Sequence, residues 1–292
     1  MKIGILGGSG LYELEALKDL RRHAVPTPFG DPSDDYLEGV WKEREVVFLP
    51  RHGVGHRLLP SEINHRANIF GFKSLGVHRV ISVSAVGSLK EELRPRDVVL
   101  PDQYFDRTKR GDAQTFFGKG VVAHVAFGDP VCGDLLDSLF RAAEQTRKKS
   151  DRWKDLRIQM GGTYVNMEGP AFSTRAESNW YRSCGFDVIG MTSLAEAKLC
   201  REAGLCYAAL AMVTDYDCWH ETEEDVTTGM VIETLRANID FVRHILENAV
   251  FDAGQTRTCD CEHSLKNALF TPPDRIPPER RKALGPILEG IV

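Results

Sequence analysis

Two carboxylates with one residue between them close an apolar run. Residues 207–213 lead into Thr214-Asp215-Tyr216-Asp217-Cys218-Trp219. Read as a buried strand, the run delivers both aspartates to the C-terminal edge of a sheet, where open α/β folds hold their ligands. A carboxylate there accepts N–H hydrogen bonds, or supplies a proton where burial raises its pKa. A spacing of two points both side chains to one face for as long as the strand continues. An ordinary strand-to-loop exit rich in Asp is the plain alternative.

Four other strand ends offer groups suited to an anion. Residues 3–6 run into Gly7-Gly8-Ser9-Gly10, and residues 46–49 into Arg51-His52-Gly53. Residues 80–83 feed Ser84-Ala85-Val86-Gly87-Ser88, and Val188-Ile189 precede Gly190-Met191-Thr192-Ser193. Small residues let backbone N–H groups approach an anion, and arginine offers a planar fork to phosphate oxygens. Each stretch alone is explained by a loop; together Ser9, Arg51, His52, Ser84, Ala85 and Thr192 suit a free oxyanion. The first loop is not GxGxxG, and no P-loop lysine motif is present, which argues against nucleoside triphosphate chemistry. One anion pocket beside a carboxylate pair suits transfer of a group from a nitrogen base to phosphate.

The elements that must position these groups alternate strand and helix. Helices are expected over 11–20, from Ser61 as N-cap to about 75, over 131–146, from Ser173–Glu177, over 194–203 and over 228–249. Short strands are expected at 98–100 and 163–166. Residues 109–122 and 145–156 read as surface loops, and the proline-bearing tail from Thr271 carries a short helix over 279–284. One α/β domain with a mostly parallel or mixed sheet accounts for the pattern.

With 292 residues, 42% hydrophobic and 27% charged, the chain is long enough for one large core. A net charge of −5 with dispersed basic residues gives no reason to expect a nucleic-acid partner. No run of about 18 apolar residues exists, so no membrane partner and a cytoplasmic location are expected. Seven cysteines are present. Cys132, Cys184, Cys200, Cys206 and Cys218 lie in or beside apolar segments and read as small buried hydrophobes. In Cys259-Asp260-Cys261, a zinc site would need two further ligands, and only His263 is near in sequence. Free thiols are expected there, with a structural disulfide as the alternative.

The ordered set of Gly7-Gly8-Ser9-Gly10-Leu11, Arg51-His52-Gly53, Ser84–Leu89, Glu168–Ser178 and Thr214–Trp219 resembles the methylthioadenosine phosphorylases, of the trimeric branch of purine nucleoside phosphorylases. The likeness runs from residue 2 to about 250, and its last two blocks are the most specific. It implies a single-domain nucleoside phosphorylase fold: a mixed central β-sheet flanked by helices over 1–250. Residues 251–292 would extend it, packing on the same domain or a neighbouring subunit. It implies a homotrimer that splits methylthioadenosine with phosphate as co-substrate, a methionine- and purine-salvage step without metal or organic cofactor. By position, phosphate falls to Ser9, Arg51, His52, Ser84, Ala85 and Thr192, and the ribose to Met191. Phe172 and Ser173 border the base. Asp215 addresses N7 of the purine and Asp217 its 6-amino group, while Val226, Thr228, Val231 and Ile232 face the 5′ substituent. Thr228 stands where a valine is expected, and Ser9 and Ser84 stand where animal enzymes carry threonine. Cys259-Asp260-Cys261 and Cys132, Cys200 and Cys206 resemble cysteines of archaeal relatives, where the pair is associated with disulfides. His124 lies in a segment that borders the next subunit's site in trimeric relatives.

An ionised Asp217 accepts from an amine and repels a 6-oxo group, so two aspartates argue for adenine; relatives that prefer 6-oxopurines carry asparagine in this region. The alternatives are a 6-oxopurine or methylthioinosine phosphorylase of the same fold, a hydrolytic nucleosidase, and a nucleoside-binding module without catalysis.

Overall fold

The computed structural model describes residues 1–8, 17–109, 111–220, 228–253 and 257–291. Eleven described strands form one mixed sheet whose centre is a long strand, β5. β1 (Lys2–Gly7) lies parallel between β4 (Arg44–Pro50) and β5 (Val77–Ser88). β2 (Lys18–His23) and β3 (Tyr36–Trp41) continue antiparallel beyond β4. On the other edge of β5 runs β11 (Cys206–Asp215), parallel to it, followed by β6 (Val98–Leu100) and β8 (Ile158–Met160). β10 (Val188–Gly190) pairs antiparallel with the end of β5 and carries β9 (Thr163–Met167) and β7 (Gln103–Arg107).

This pairing leaves a gap. β11 occupies one edge of β5 continuously from Arg79 to Gly87, so β1 and β10 share the other edge. β1 pairs only as far as Ser82 and β10 begins at Gly87. Residues 83–86 therefore have no strand neighbour on that edge, and the sheet splits where the anion-type residues of β5 lie.

Side-chain alternation sends Ile3, Ile5, Ile81, Ala208, Leu210 and Met212 to one face, against α2 (Gly133–Lys148) and α5 (Thr228–Ala253). Leu6, Val80, Tyr207 and Ala209 point to the other face. There they meet α1 (His65–Ser74), α4 (Ser193–Glu202) and the tail, where Leu284 joins α6 (Pro278–Ala283) to α7 (Gly285–Leu288) and Ile287 and Leu288 lie in α7. α3 (Arg175–Ser183) flanks the sheet end. No described helix is long and apolar enough to cross a membrane.

Several local expectations are corrected. Residues 18–20, read as helix, begin β2, a charged and exposed edge strand paired with β3. Asn64, not Ser61, caps α1: its side chain accepts from the Ala67 N–H at 3.1 Å, and Ser61 lies in a separate 3-10 turn. The two supposed surface loops bury Phe116 and Trp153, which anchor them to the core. Cys184 is exposed, and Cys218 is only partly buried.

Candidate functional site

Asp215 is the last residue of β11, but the strand does not carry Asp217. Pairing with β5 passes from Val213↔Val86 to Asp215↔Gly87, so Thr214 forms a bulge. Asp217 then opens a 3-10 turn with φ of 53°, in the left-handed region that Asp tolerates better than most residues. The turn is pinned by the Trp219 indole, which donates to the Ser88 carbonyl at 2.7 Å and lies under the Arg182 guanidinium. A bulge and a turn, not strand alternation, thus bring the two carboxylates together.

Their partners differ. Asp215 Oδ2 accepts from Thr214 Oγ1 at 2.7 Å, and Oδ1 from the Asp217 N–H at 2.8 Å. Asp217 Oδ2 accepts from Ser178 Oγ at 2.5 Å. Burial raises the pKa of both carboxyls above the usual range, against the pull of these donors. For Asp217 the opposing donors are Ser178, the Cys218 backbone and Ser173. Gly87 makes the close approach possible: a Cβ there would stand 2.9 Å from Asp215 Oδ1 and 3.3 Å from Asp217 Cβ.

The anion-type residues gather at the split in the sheet. The Arg51 N–H donates to the Gly7 carbonyl at 2.9 Å, so the ends of β1 and β4 lie side by side. The Arg51 guanidinium is buried and its fork is taken. Nε donates to Glu196 Oε1 at 2.5 Å, Nη2 to Ser82 Oγ at 2.6 Å and the Leu6 carbonyl at 3.1 Å, and Nη1 to the Val83 carbonyl at 2.9 Å. Arg51 therefore fills the gap beside β5 and keeps one Nη1 N–H to offer. This differs from the bidentate anion contact expected from residue type alone. Glu196, fully buried, also accepts from Ser82 Oγ and the Tyr207 hydroxyl, which satisfies its charge.

Ser84 Oγ is buried and has no hydrogen-bond partner among the described residues. The same holds for the Tyr164 hydroxyl, whose pKa burial pushes up to about 12 against the pull of the nearby Arg51 charge. Ser84, Thr192, Tyr164 and Arg51 therefore converge, with Ala85 in the unpaired stretch of β5 and Thr192 as the N-cap residue of α4. A helix N-terminus and an unclaimed hydroxyl beside a guanidinium form an anion cradle. His52 bonds through Nδ1 to the Leu58 carbonyl at 2.9 Å and stacks on His56 at 4.1 Å. Burial lowers its pKa to about 4, so it is neutral at working pH, Nδ1 carries the proton, and Nε2 is left as an acceptor.

Met191 lines a cleft with Ser61, His65, Asn166 and Glu168. Its sulfur packs on Gly169, where φ is 70° and a Cβ would sit 2.5 Å away. Ser173 is buried beside Met167, and its carbonyl accepts from Cys218 Sγ at 3.2 Å; Phe172 is 48% exposed. His124 meets Phe270 edge-to-face. Ser9 and Val226 lie outside the described residues, as do the side chains of Thr228, Val231 and Ile232, which fall in α5.

The sequence profile of the phosphorylase superfamily matches residues 2–250. The chain belongs to that superfamily. It is 52% identical over 290 residues to the S-methyl-5′-thioadenosine phosphorylase of Geobacter sulfurreducens, covering 99% of each chain. A methylthioadenosine phosphorylase from an Antarctic soil metagenomic library superimposes with a TM-score of 0.91 at 46% identity, over 98% of both chains. The Schistosoma mansoni methylthioadenosine phosphorylase solved with adenine matches with a TM-score of 0.83 at 38% identity, over 91% of this chain and 96% of that one.

Three residues of this superfamily member escaped the sequence reading. Ser178 holds Asp217, Glu196 holds Arg51, and Tyr164 faces Ser84. Glu196 had a readable signal: an acid among Leu194, Ala195 and Ala197, all buried on α4, requires a buried cation. The capping box in which Thr174 and Glu177 exchange hydrogen bonds starts α3 and so orients Ser178 one residue later.

Proposed function

We propose that this protein splits S-methyl-5′-thioadenosine with inorganic phosphate, giving adenine and 5-methylthioribose 1-phosphate. The observation that carries the reading is the pair of buried aspartates with different partners, next to a separate cradle around Arg51, Ser84 and Thr192. The names of the relatives and the adenine in the Schistosoma neighbour point the same way.

Phosphate in the cradle attacks the anomeric carbon as the bond to N9 breaks, and its charge offsets the positive charge developing on the sugar. The leaving base takes the bond's electron pair and needs a proton at N7. Asp215, its pKa raised by burial, donates that proton, a contribution of about 10²–10⁴ in rate. Asp217 in its ionised form, oriented by its bond from Ser178, accepts from the 6-amino group. Met191 lies along the ribose, Phe172 and Ser173 border the base, and Thr228 and Val231 face the thioether. His52 Nε2 accepts from the hydroxyl of a singly protonated phosphate, and Ser9 and Ala85 complete the cradle. The reaction calls for no metal or organic cofactor. A homotrimer is the assembly this reading carries, tested by light scattering.

Release of adenine and hypoxanthine from methylthioadenosine, adenosine, methylthioinosine and inosine, with and without phosphate, tests the function. Phosphate-dependent adenine release, highest with methylthioadenosine, is expected. Release without phosphate marks a nucleosidase. Faster turnover of the inosines marks a 6-oxopurine enzyme, and binding without release a non-catalytic module.

A further inference from the structure

On the sheet face opposite α4, four cysteines from three separate parts of the chain converge. Cys132 precedes α2 as its N-cap residue, Cys206 opens β11, and Cys259 and Cys261 flank Asp260 in the segment after α5. Their four Sγ atoms all lie within 4.8 Å of one another, and those of Cys206 and Cys259 are 3.3 Å apart. We propose that these four thiolates bind one zinc ion as a structural site, separate from the aspartate and phosphate groups.

The geometry suits a tetrahedral ion. Zinc–sulfur bonds of about 2.3 Å place the sulfurs of a four-thiolate site about 3.8 Å apart, within the spread found here. Sequence spacing concealed the site. Cys259 and Cys261 have only His263 nearby in the chain, and the fold supplies the other two ligands from about 50 and 130 residues upstream. The proposed ion concerns this cluster and not the reaction.

Three features show a built site. The first is anchoring. Asp134, in the first turn of α2, accepts from the Thr258 N–H at 2.9 Å and from Thr258 Oγ1 at 2.6 Å, which ties the Cys259 segment to the helix bearing Cys132. The Cys132 N–H donates to the Tyr207 carbonyl at 2.9 Å, tying that helix to the strand bearing Cys206. The second is burial: Cys132 and Cys206 are 3% and 0% exposed, while Cys259 and Cys261 are partly exposed and leave a route for the ion.

The third is charge. Four thiolates and one zinc ion carry a net charge of −2, which a buried setting must compensate. Arg79 lies directly across from Cys206 in the β5–β11 register, is 3% exposed, and its Nε has no partner among the described residues. Arg257 also faces Cys206, through a side chain that is 9% exposed and paired with Glu262. Arg79 thus offers the site one positive charge, and Arg257, shared with Glu262, adds part of another. Zinc entry releases the thiol protons to solvent, and because the ligands lie on α2, β11 and the C-terminal segment, the bound ion clamps these three parts together.

Metal analysis of the full chain, purified reduced and supplied with zinc, reads the proposal directly. One zinc per chain is expected, falling at least about tenfold in Cys259→Ser/Cys261→Ser and unchanged in Cys184→Ser, whose thiol is exposed and outside the cluster. Wild-type protein loaded with cobalt reads the site even where the double variant fails to fold. Sulfur-to-cobalt charge transfer and intense visible bands of a tetrahedral ion are expected. With EDTA and denaturant, seven titratable thiols should appear. Zinc retained by the double variant, wild-type protein without zinc, or only three free thiols, meaning two disulfides in the cluster, overturns it. None of these readouts depends on turnover, so their failure leaves the proposed function standing.

Discussion

Replacing Asp217 by asparagine isolates base recognition with little disturbance of the backbone. Asp217 sits at φ 53°, which asparagine adopts readily, whereas alanine would add strain of about 1–3 kcal/mol. The donors around the carboxylate set how the new amide turns. Ser178 Oγ donates to Oδ2 at 2.5 Å, and the Cys218 backbone and Ser173 also hydrogen-bond to the carboxylate. The asparagine carbonyl oxygen takes the Ser178 bond, and its NH₂ group faces the purine. An acceptor for the 6-amino group becomes a donor that suits a 6-oxo group. Loss of a hydrogen bond to a charged acceptor costs about 1.5–3 kcal/mol, or about 10–150-fold in kcat/KM on methylthioadenosine. Relief of the mismatch raises kcat/KM on methylthioinosine, so the ratio of the two moves by about 10²–10⁴. The assay is kcat/KM for adenine and hypoxanthine release at saturating phosphate. Ser178→Ala in the asparagine background removes the group that orients the amide and should return part of the shift. Equal losses on both substrates with an unchanged ratio would refute the assignment of Asp217 as the reader of position 6.

Thr214→Val removes the hydroxyl that holds Asp215 down against burial, so its pKa rises further. The alkaline limb of kcat, lost as pH climbs through that pKa, moves to higher pH in a pH–rate profile. The linkage has the same sign: with the folded value above the unfolded one, the stabilisation is full below the ordinary carboxylate pKa and is lost as pH rises through the folded value. Thermal melts against pH should show that loss displaced upward in the variant. Glu196→Gln leaves the Arg51 guanidinium buried without its counter-charge and should cost about 3–5 kcal/mol in denaturant unfolding. The KM for phosphate should rise well above any change in the KM for nucleoside. Gly87→Ala pushes on Asp215 Oδ1 and should lower kcat about 10²-fold with a small change in melting temperature; unaltered kcat would show that the close approach is unimportant.

Much of the site was legible in the chain because its signals are local. Apolar runs leading into Arg51-His52 and Asp215 end as strands where periodicity puts them, and Ser173–Glu177 marks a helix start, whereas the run before Ser84-Ala85 does not end there: β5 continues to Ser88 because β11 pairs with it as far as Gly87. Where local pattern misled, a partner distant in sequence had overridden it: Lys18 and residues 21–23 pair with β3, and Phe116 is held by the core.

By itself, then, the sequence determined an α/β domain, the strands that lead into the candidate site residues and the aspartate pair. Only the tertiary structure decided how these act. The split of β5 between β1 and β10, the bulge at Thr214, the buried Arg51–Glu196 pair and the four-cysteine cluster each depend on groups that lie far apart in the chain. Periodicity reports the face on which a residue lies. Which distant residue meets it across that face is set by packing the whole chain into one core, and no short stretch of sequence carries that information.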